Sequence, residues 1–280
     1  MRRGTYSIVA RDPATGELGV AVQSHWFSVG SVVAWARPGV GAVATQSVAE
    51  VAHGPNALDR LEQGLDASAA IAAVLGADEL AGVRQLGVID GAGCAAAHTG
   101  DGCIAYAEDI QGEGFSCQAN MMSRAGVPAA MAEGFTAAEG ELAERLLLAL
   151  EAGEAAGGDV RGRQSAALLV VPARGETWRT RFDVRVEDAG EPLAELRRLV
   201  RLARAYEMAG EGDERSARGE HAEASRLYLT ASELAPEADE LTFWAGLGVA
   251  VEDLAAGIEL VRRAIALKPA WRTLLERLSD

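Results

Sequence analysis

Thr5 directly follows Gly4 and opens the run Thr5-Tyr6-Ser7-Ile8-Val9-Ala10, which carries no proline and no charge before Arg11. If the Gly4–Thr5 bond were cleaved, Thr5 would carry a free α-amine beside its own hydroxyl. That is the pairing in which an N-terminal amine serves as base for an N-terminal nucleophile. Taken alone, the run favours a plainer reading, in which Thr5 is a β-branched strand residue. Ser24 and His25 are adjacent, so a Ser/His or Thr/His pairing is chemically open. A lone histidine beside Trp26 and Phe27 is more often packed or hydrogen-bonded than catalytic. The other histidines, His53, His98 and His221, give no His-x-x-x-His or His-x-His spacing, so no metal site is expected. Cys94, Cys103 and Cys117 are an odd set without CxxC spacing, which argues against a disulfide framework or a zinc site. Nothing near them is placed to depress a thiol pKa, so structural roles are favoured. Ser7 and Cys117 stand as weaker alternative nucleophiles. Gly100-Asp101-Gly102 lacks the ending of a phosphate loop, no G-x-S-x-G elbow occurs, and no cofactor is expected.

The elements that must position these residues follow from pattern. Thr5–Ala10 and Glu17–Ser24 read as a hairpin around Asp12-Pro13-Ala14-Thr15-Gly16. Ser31–Ala36 and Val40–Thr45 read as a second hairpin, and Gln85–Asp90 with Cys94–Ala97 as a third. Residues 56–75 switch to helical spacing, with a break near Gly64. Residues 98–120 read as glycine-rich loop ending in a strand, Pro128–Leu150 as one helix, and Ser165–Val171 and Arg181–Val186 as strands. Paired strands, a helical middle and paired strands again predict an α/β domain over 1–188, a four-layer αββα sandwich. Residues 189–280 read as purely helical. There Ala231, Leu234 and Pro236 recur as Ala264, Leu267 and Pro269, while Tyr228 matches Val261 and Ala224 matches Gly257. This step resembles tetratricopeptide helix pairs and predicts a small all-α domain. A helical cap without a ligand and a groove for a protein or peptide partner are both open.

A formal charge of −15 argues against nucleic acid or an anionic membrane as the main partner. Basic residues are arginine except for Lys268, so the first domain offers no lysine base. No apolar run long enough for a signal peptide or membrane span follows Met1-Arg2-Arg3, so the cytoplasm is the expected compartment. Stacked sheets and short repeat arrays both bury surface in partners, and a homo-oligomer is expected.

Thr5 to Ser47 resembles the opening of a bacterial family, domain of unknown function 1028. Further matching blocks run from His98-Thr99-Gly100 into Cys103-Ile104, from Gly114-Phe115-Ser116 to Asn120-Met121-Met122, and from Gly157-Gly158-Asp159 to Ser165. The resemblance covers Thr5 to about Val186 and implies an N-terminal-nucleophile (Ntn) hydrolase-like fold. The helical tail resembles an extension of family members labelled peptidoglycan-binding. The start is also similar to the mature N-terminus of the ceramidase and bile-salt-hydrolase group. Setting Ser7-Ile8-Val9-Ala10 on that pattern places Thr5 on the nucleophile. It also implies an oxyanion or amine-positioning role for Asn120 and a supporting role for His25. Ser24, Trp26, Gln46, Asp159 and Arg163, polar or aromatic residues of the matched blocks, are the candidate substrate-binding residues. His53 departs from the pattern, replacing an aromatic residue. The resemblance implies cleavage of a small amide or peptide-like substrate, which requires removal of Met1 to Gly4. The alternative is a non-catalytic domain acting as a binding module, with the tail holding a peptide or cell-wall fragment.

Overall fold

A computed structural model describes residues 4–278. Met1-Arg2-Arg3, part of the segment whose removal would expose Thr5, lies outside the described residues. The chain divides into two compact units, Met1–Arg197 and Arg198–Asp280.

The first unit opens with β1 (Thr5–Arg11) and β2 (Leu18–Ser24), paired antiparallel. Their turn is set by Asp12, whose carboxylate accepts the Ala14 and Thr15 amides at 2.7 and 3.2 Å, and by Gly16 at φ 75°. A short helix, α1 (Gly30–Val33), and then β3 (Ala34–Arg37) correct the expected strand over Ser31–Ala36. The Ser31 amide and hydroxyl both bond to the Ser28 carbonyl, and this local turn outcompetes extension of the β-branched run. β4 (Gly41–Ser47) follows, then α2 (His53–Glu62) and α3 (Ala67–Leu75), separated at Gly64, φ 94°. A short 3-10 turn at Ala81–Val83 precedes the third hairpin, β5 (Arg84–Asp90) and β6 (Ala95–Thr99).

Two further corrections fall in the middle of the chain. The stretch read as loop contains β7 (Glu108–Gly112), an exposed charged edge strand held by its ladder to β8 (Phe115–Asn120). The helix expected over Pro128–Leu150 is two, α4 (Val127–Ala137) and α5 (Leu142–Ala155), divided where Gly140 takes φ 96°. β9 (Ser165–Val171) and β10 (Phe182–Val186) complete the strands.

The strands form two antiparallel sheets, ordered β10-β9-β2-β1-β8-β7 and β3-β4-β5-β6. Alternation along β1 sorts its side chains to two faces. Val9 packs inward with Val20, Val22, Ala42, Ala44 and Ile89, which joins the sheets. Tyr6 faces the other way and donates to Glu154 of α5 at 2.7 Å. Leu58, Leu61, Ala70 and Ile71 of α2 and α3 cover the outer face of the smaller sheet over Val43 and Val88. Both faces of the central strands are therefore covered, and each such aliphatic side chain contributes roughly 1.5–3 kcal/mol.

Helix α6 (Pro192–Ala217) contains the division between the units. The second unit continues with α7 (His221–Leu234), α8 (Asp239–Val249), α9 (Leu254–Leu267) and α10 (Ala270–Leu275). The recurring residues fall at equivalent places on α7 and α9. Ala231 and Ala264 are buried on them, and Pro236 and Pro269 follow their ends. Tyr228 fills the space between two glycines, since a Cβ at Gly212 or Gly248 would lie 2.7 or 2.3 Å from its ring.

Candidate functional site

Thr5 heads β1 between Ser24 of β2 and Asn120 of β8, its register partners, and is fully buried. Residues directly opposite on paired strands share a face, so the first residue of the central strand meets both neighbours' termini. The Thr5 hydroxyl donates to Ser24 Oγ at 3.2 Å, and the Ser24 hydroxyl donates to the Gly4 carbonyl at 2.5 Å. A second donor reaches the same carbonyl, Arg161 Nη2 at 2.8 Å.

Asp159 holds Arg161 in place. Its Oδ1 accepts the Arg161 amide at 2.9 Å and Nε at 3.0 Å, and its Oδ2 accepts Nη2 at 2.7 Å. The His25 amide also donates to Oδ2, at 3.1 Å. The Asp159 side chain is fully buried, so it acts as a fixed acceptor that aims the guanidinium fork at Gly4. The loop carrying both is pinned to the strand ends, with the Val160 amide on the Met121 carbonyl at 3.0 Å and the Gln164 amide on the Ser24 carbonyl at 3.2 Å. Position 4 admits only glycine. A Cβ there would stand 2.8 and 2.9 Å from the Asp159 oxygens and 2.9 Å from Met121 Cβ.

Behind Thr5 the space between the sheets is polar. Ser7 donates to Gln46 Oε1 at 2.7 Å and accepts from Gln118 Nε2 at 2.7 Å. Gln46 Nε2 donates to Gln85 Oε1 at 2.8 Å and to the Thr5 carbonyl at 3.3 Å. Asn120 Nδ2 also donates to Gln85 Oε1, at 2.9 Å, while Asn120 Oδ1 is buried without a hydrogen-bond partner among the described residues. Leaving a buried acceptor unpaired costs about 1–3 kcal/mol.

Of the residues singled out from the sequence, Thr5, Ser24 and Asp159 come together around Gly4, with Asn120 and Gln46 against Thr5. Ser7 is engaged in the inter-sheet network. The His25 ring is exposed; its Nδ1 lies 3.3 Å from the Arg163 carbonyl, and it makes no hydrogen bond to Thr5 or Ser24. The Arg163 side chain pairs instead with Glu154, at 3.1 Å, and with Glu191. Trp26 is half-buried, and its carbonyl accepts the Ser165 hydroxyl at 2.5 Å. Cys117 is buried, and burial pushes its thiol far above the ordinary range, leaving little thiolate to act as a nucleophile. Arg161 was not singled out; the available signal was its spacing, two residues after Asp159. Among the described residues no group of three or more His, Cys, Asp or Glu side chains is placed to hold a metal ion. No helix among them is long and apolar enough to cross a membrane.

Residues 5–196 match the model of a family of unknown function, DUF1028, and the chain belongs to that family. It is similar to a solved structure, protein SPO2555 from Silicibacter pomeroyi, of the same family. The identity is 30% and the TM-score 0.67, over 71% of this chain and 86% of that one. No curated protein matches the chain.

Proposed function

We propose that this member of the DUF1028 family is an amide hydrolase of the N-terminal-nucleophile type, an Ntn-hydrolase-like αββα sandwich with a tetratricopeptide-like extension. Its substrate is a small amide or peptide-like molecule, and Thr5, released by cleavage of the Gly4–Thr5 bond, is its nucleophile. The observation that carries this reading is the Gly4 carbonyl, which receives the Ser24 hydroxyl at 2.5 Å and Arg161 Nη2 at 2.8 Å next to the Thr5 hydroxyl. Two donors aimed at one peptide carbonyl stabilise the oxyanion that forms when that carbonyl is attacked.

In the first stage Thr5 Oγ1 attacks the Gly4 carbonyl carbon, and its proton passes through Ser24 to the departing Thr5 nitrogen. The C–N bond breaks and leaves an ester, which water hydrolyses to a Gly4 carboxylate and a free Thr5. Clearing Gly4 vacates the Ser24–Arg161 cradle for a substrate carbonyl. In the second stage the Thr5 α-amine takes the hydroxyl proton, Oγ1 attacks the substrate amide, and the amine returns the proton to the leaving nitrogen. Water then hydrolyses the acyl-enzyme. No lysine is needed as base, and the unpaired Asn120 Oδ1 gains the new amine as a cross-strand donor. The buried state of Thr5 fits an uncleaved precursor, in which substrate has no access to the hydroxyl.

Intact mass and N-terminal sequencing of purified protein test this. The expected result is a chain beginning at Thr5, with Thr5→Ala left unprocessed and Thr5→Ser processed. Amide turnover by protein that retains Met1 or Arg2 would overturn the Thr5 mechanism.

The second reading, a binding module, is favoured by one observation in the helical unit. A cavity of about 520 Å³ is walled by Tyr206, Tyr228 and Trp244, with Asp213 and Glu240 beside them. Aromatic faces with carboxylates suit a basic peptide segment. Under this reading Trp244→Ala abolishes peptide binding, and Thr5→Ala changes nothing.

A further inference from the structure

The opposite end of β1 carries a second constellation that the Thr5 chemistry does not use. Arg11 closes the strand and Arg145 stands on the first turn of α5, and both line a cavity of about 630 Å³. The hairpin turns supply Pro13, Ala92 and the Gly112–Phe115 turn, and α4 supplies Phe135. That volume lies within the range of small-molecule sites.

The two arginines are unusual in a chain of net charge −15. Asp159, Glu17, Glu141, Glu144 and Glu151 each pair with other arginines of this unit. Neither Arg11 nor Arg145 has a carboxylate or hydrogen-bond partner for its guanidinium among the described residues, and the Nε of each is shielded from solvent. Arg145 lies over the Phe135 ring, 4.2 Å from its centroid, and Phe135 packs on Phe115 at 5.1 Å. The stack fixes the plane of one guanidinium and gives the cavity an apolar wall. Glu113, also lining the cavity, is the only carboxylate there, so two cations face one anion.

We propose that this cavity is a binding site for a small molecule bearing an oxyanion, carboxylate or phosphate, on a flat apolar body. The oxyanion accepts from the two guanidinium forks, which suit planar bidentate recognition, and the apolar body lies against Phe115, Phe135 and Pro13. Such a ligand does not reach Thr5. Six residue-to-residue steps of extended strand separate Thr5 from Arg11, roughly 20 Å at the rise of a β-strand. The site therefore stands or falls independently of the hydrolase reading.

Calorimetric titration of the full chain with phenyl phosphate, benzoate and inorganic phosphate tests it. Saturable one-to-one binding of phenyl phosphate or benzoate is expected, weakened at least about tenfold by Arg11→Gln and by Arg145→Gln and unchanged by Thr5→Ala. The stronger of the two aromatic ligands identifies the oxyanion. Because Arg145 packs on Phe135, its loss can cost stability. Ala92→Trp, an exposed change at the cavity wall that leaves both arginines in place, is therefore expected to block the same binding. Absence of saturable binding up to about 10 mM overturns the site. So does binding indifferent to Arg11→Gln and Ala92→Trp, and equal affinity for inorganic phosphate overturns the apolar subsite.

Discussion

Around Val9, Val20 and Ile89 the space between the sheets is filled by aliphatic side chains, whereas around Thr5 and Ser7 it holds Gln46, Gln85, Gln118 and Asn120 in one hydrogen-bonded net. Strands β1, β4 and β5 supply both halves. The apolar half gains roughly 1.5–3 kcal/mol for each buried side chain. In the polar half each hydrogen bond nets only about 1 kcal/mol, and Asn120 Oδ1 has no partner among the described residues. An all-aliphatic layer would be the more stable filling. What the polar half adds is position, since its amides hold the Thr5 carbonyl and the strand end behind the Thr5 hydroxyl. Under the proposed mechanism, stability and chemistry fall at opposite ends of one inter-sheet layer.

That contrast can be broken by substitution. Arg161→Ala removes one donor from the Gly4 carbonyl and is expected to slow the proposed Gly4–Thr5 cleavage about 10²–10³-fold, followed by mass spectrometry after synthesis, with little change in the unfolding midpoint. Ile89→Ala, in the apolar half, is expected to cost about 3 kcal/mol in urea denaturation while leaving cleavage intact. If Ile89→Ala instead stops cleavage without unfolding the chain, the two halves are not separable. Gly87→Ala probes their boundary, because its new Cβ would stand 2.1 Å from Gln118 Oε1. A loss of about 1–3 kcal/mol is expected, together with slower cleavage as the net is displaced.

The smallest effect lies outside both halves. Asp78 accepts from Arg84 Nε at 2.7 Å and lies 2.7 Å from His53 Nε2; the hydrogen bond from Arg84 holds its carboxyl well below the usual carboxylate range. A depressed folded-state pKa means the stabilisation is complete above the unfolded value of about 4 and is lost as pH falls toward the folded one. Asp78→Asn is expected to flatten stability between about pH 2 and pH 5 and to leave cleavage untouched, measured by urea midpoints across that window.

Much of the frame was legible in the chain. Asp12 with Gly16, and Gly64, marked their breaks because turn residues act through their own backbone. The strand β7 and the division of α4 from α5 escaped, because an edge ladder and a left-handed Gly140 within an otherwise helical pattern leave little periodic trace. Ser31–Val33 misled, since β-branched composition says strand while a serine turn says helix. The resemblance implies Thr5 as nucleophile and Ser24 and Asp159 as substrate-binding residues, whereas the contacts set Ser24 on the Gly4 carbonyl and Asp159 on Arg161, which no local pattern specifies. Sequence pattern does not separate Arg161 from Arg163, two positions on; the fold does, turning Arg161 to Gly4 and Arg163 to Glu154 and Glu191.

By itself the sequence determined local matters: which segments alternate, where glycine permits a turn, and that Gly4 precedes a hydroxyl residue at the head of a strand. Folding was needed to bring Ser24 and the Asp159-held Arg161 onto the Gly4 carbonyl, and to set Arg11 and Arg145 in one cavity with Glu113. The reason is that periodicity and turn chemistry act between neighbours along the chain. A carbonyl bonded to a residue 157 positions away is specified only when the sheet registers and the loop beside them are fixed together.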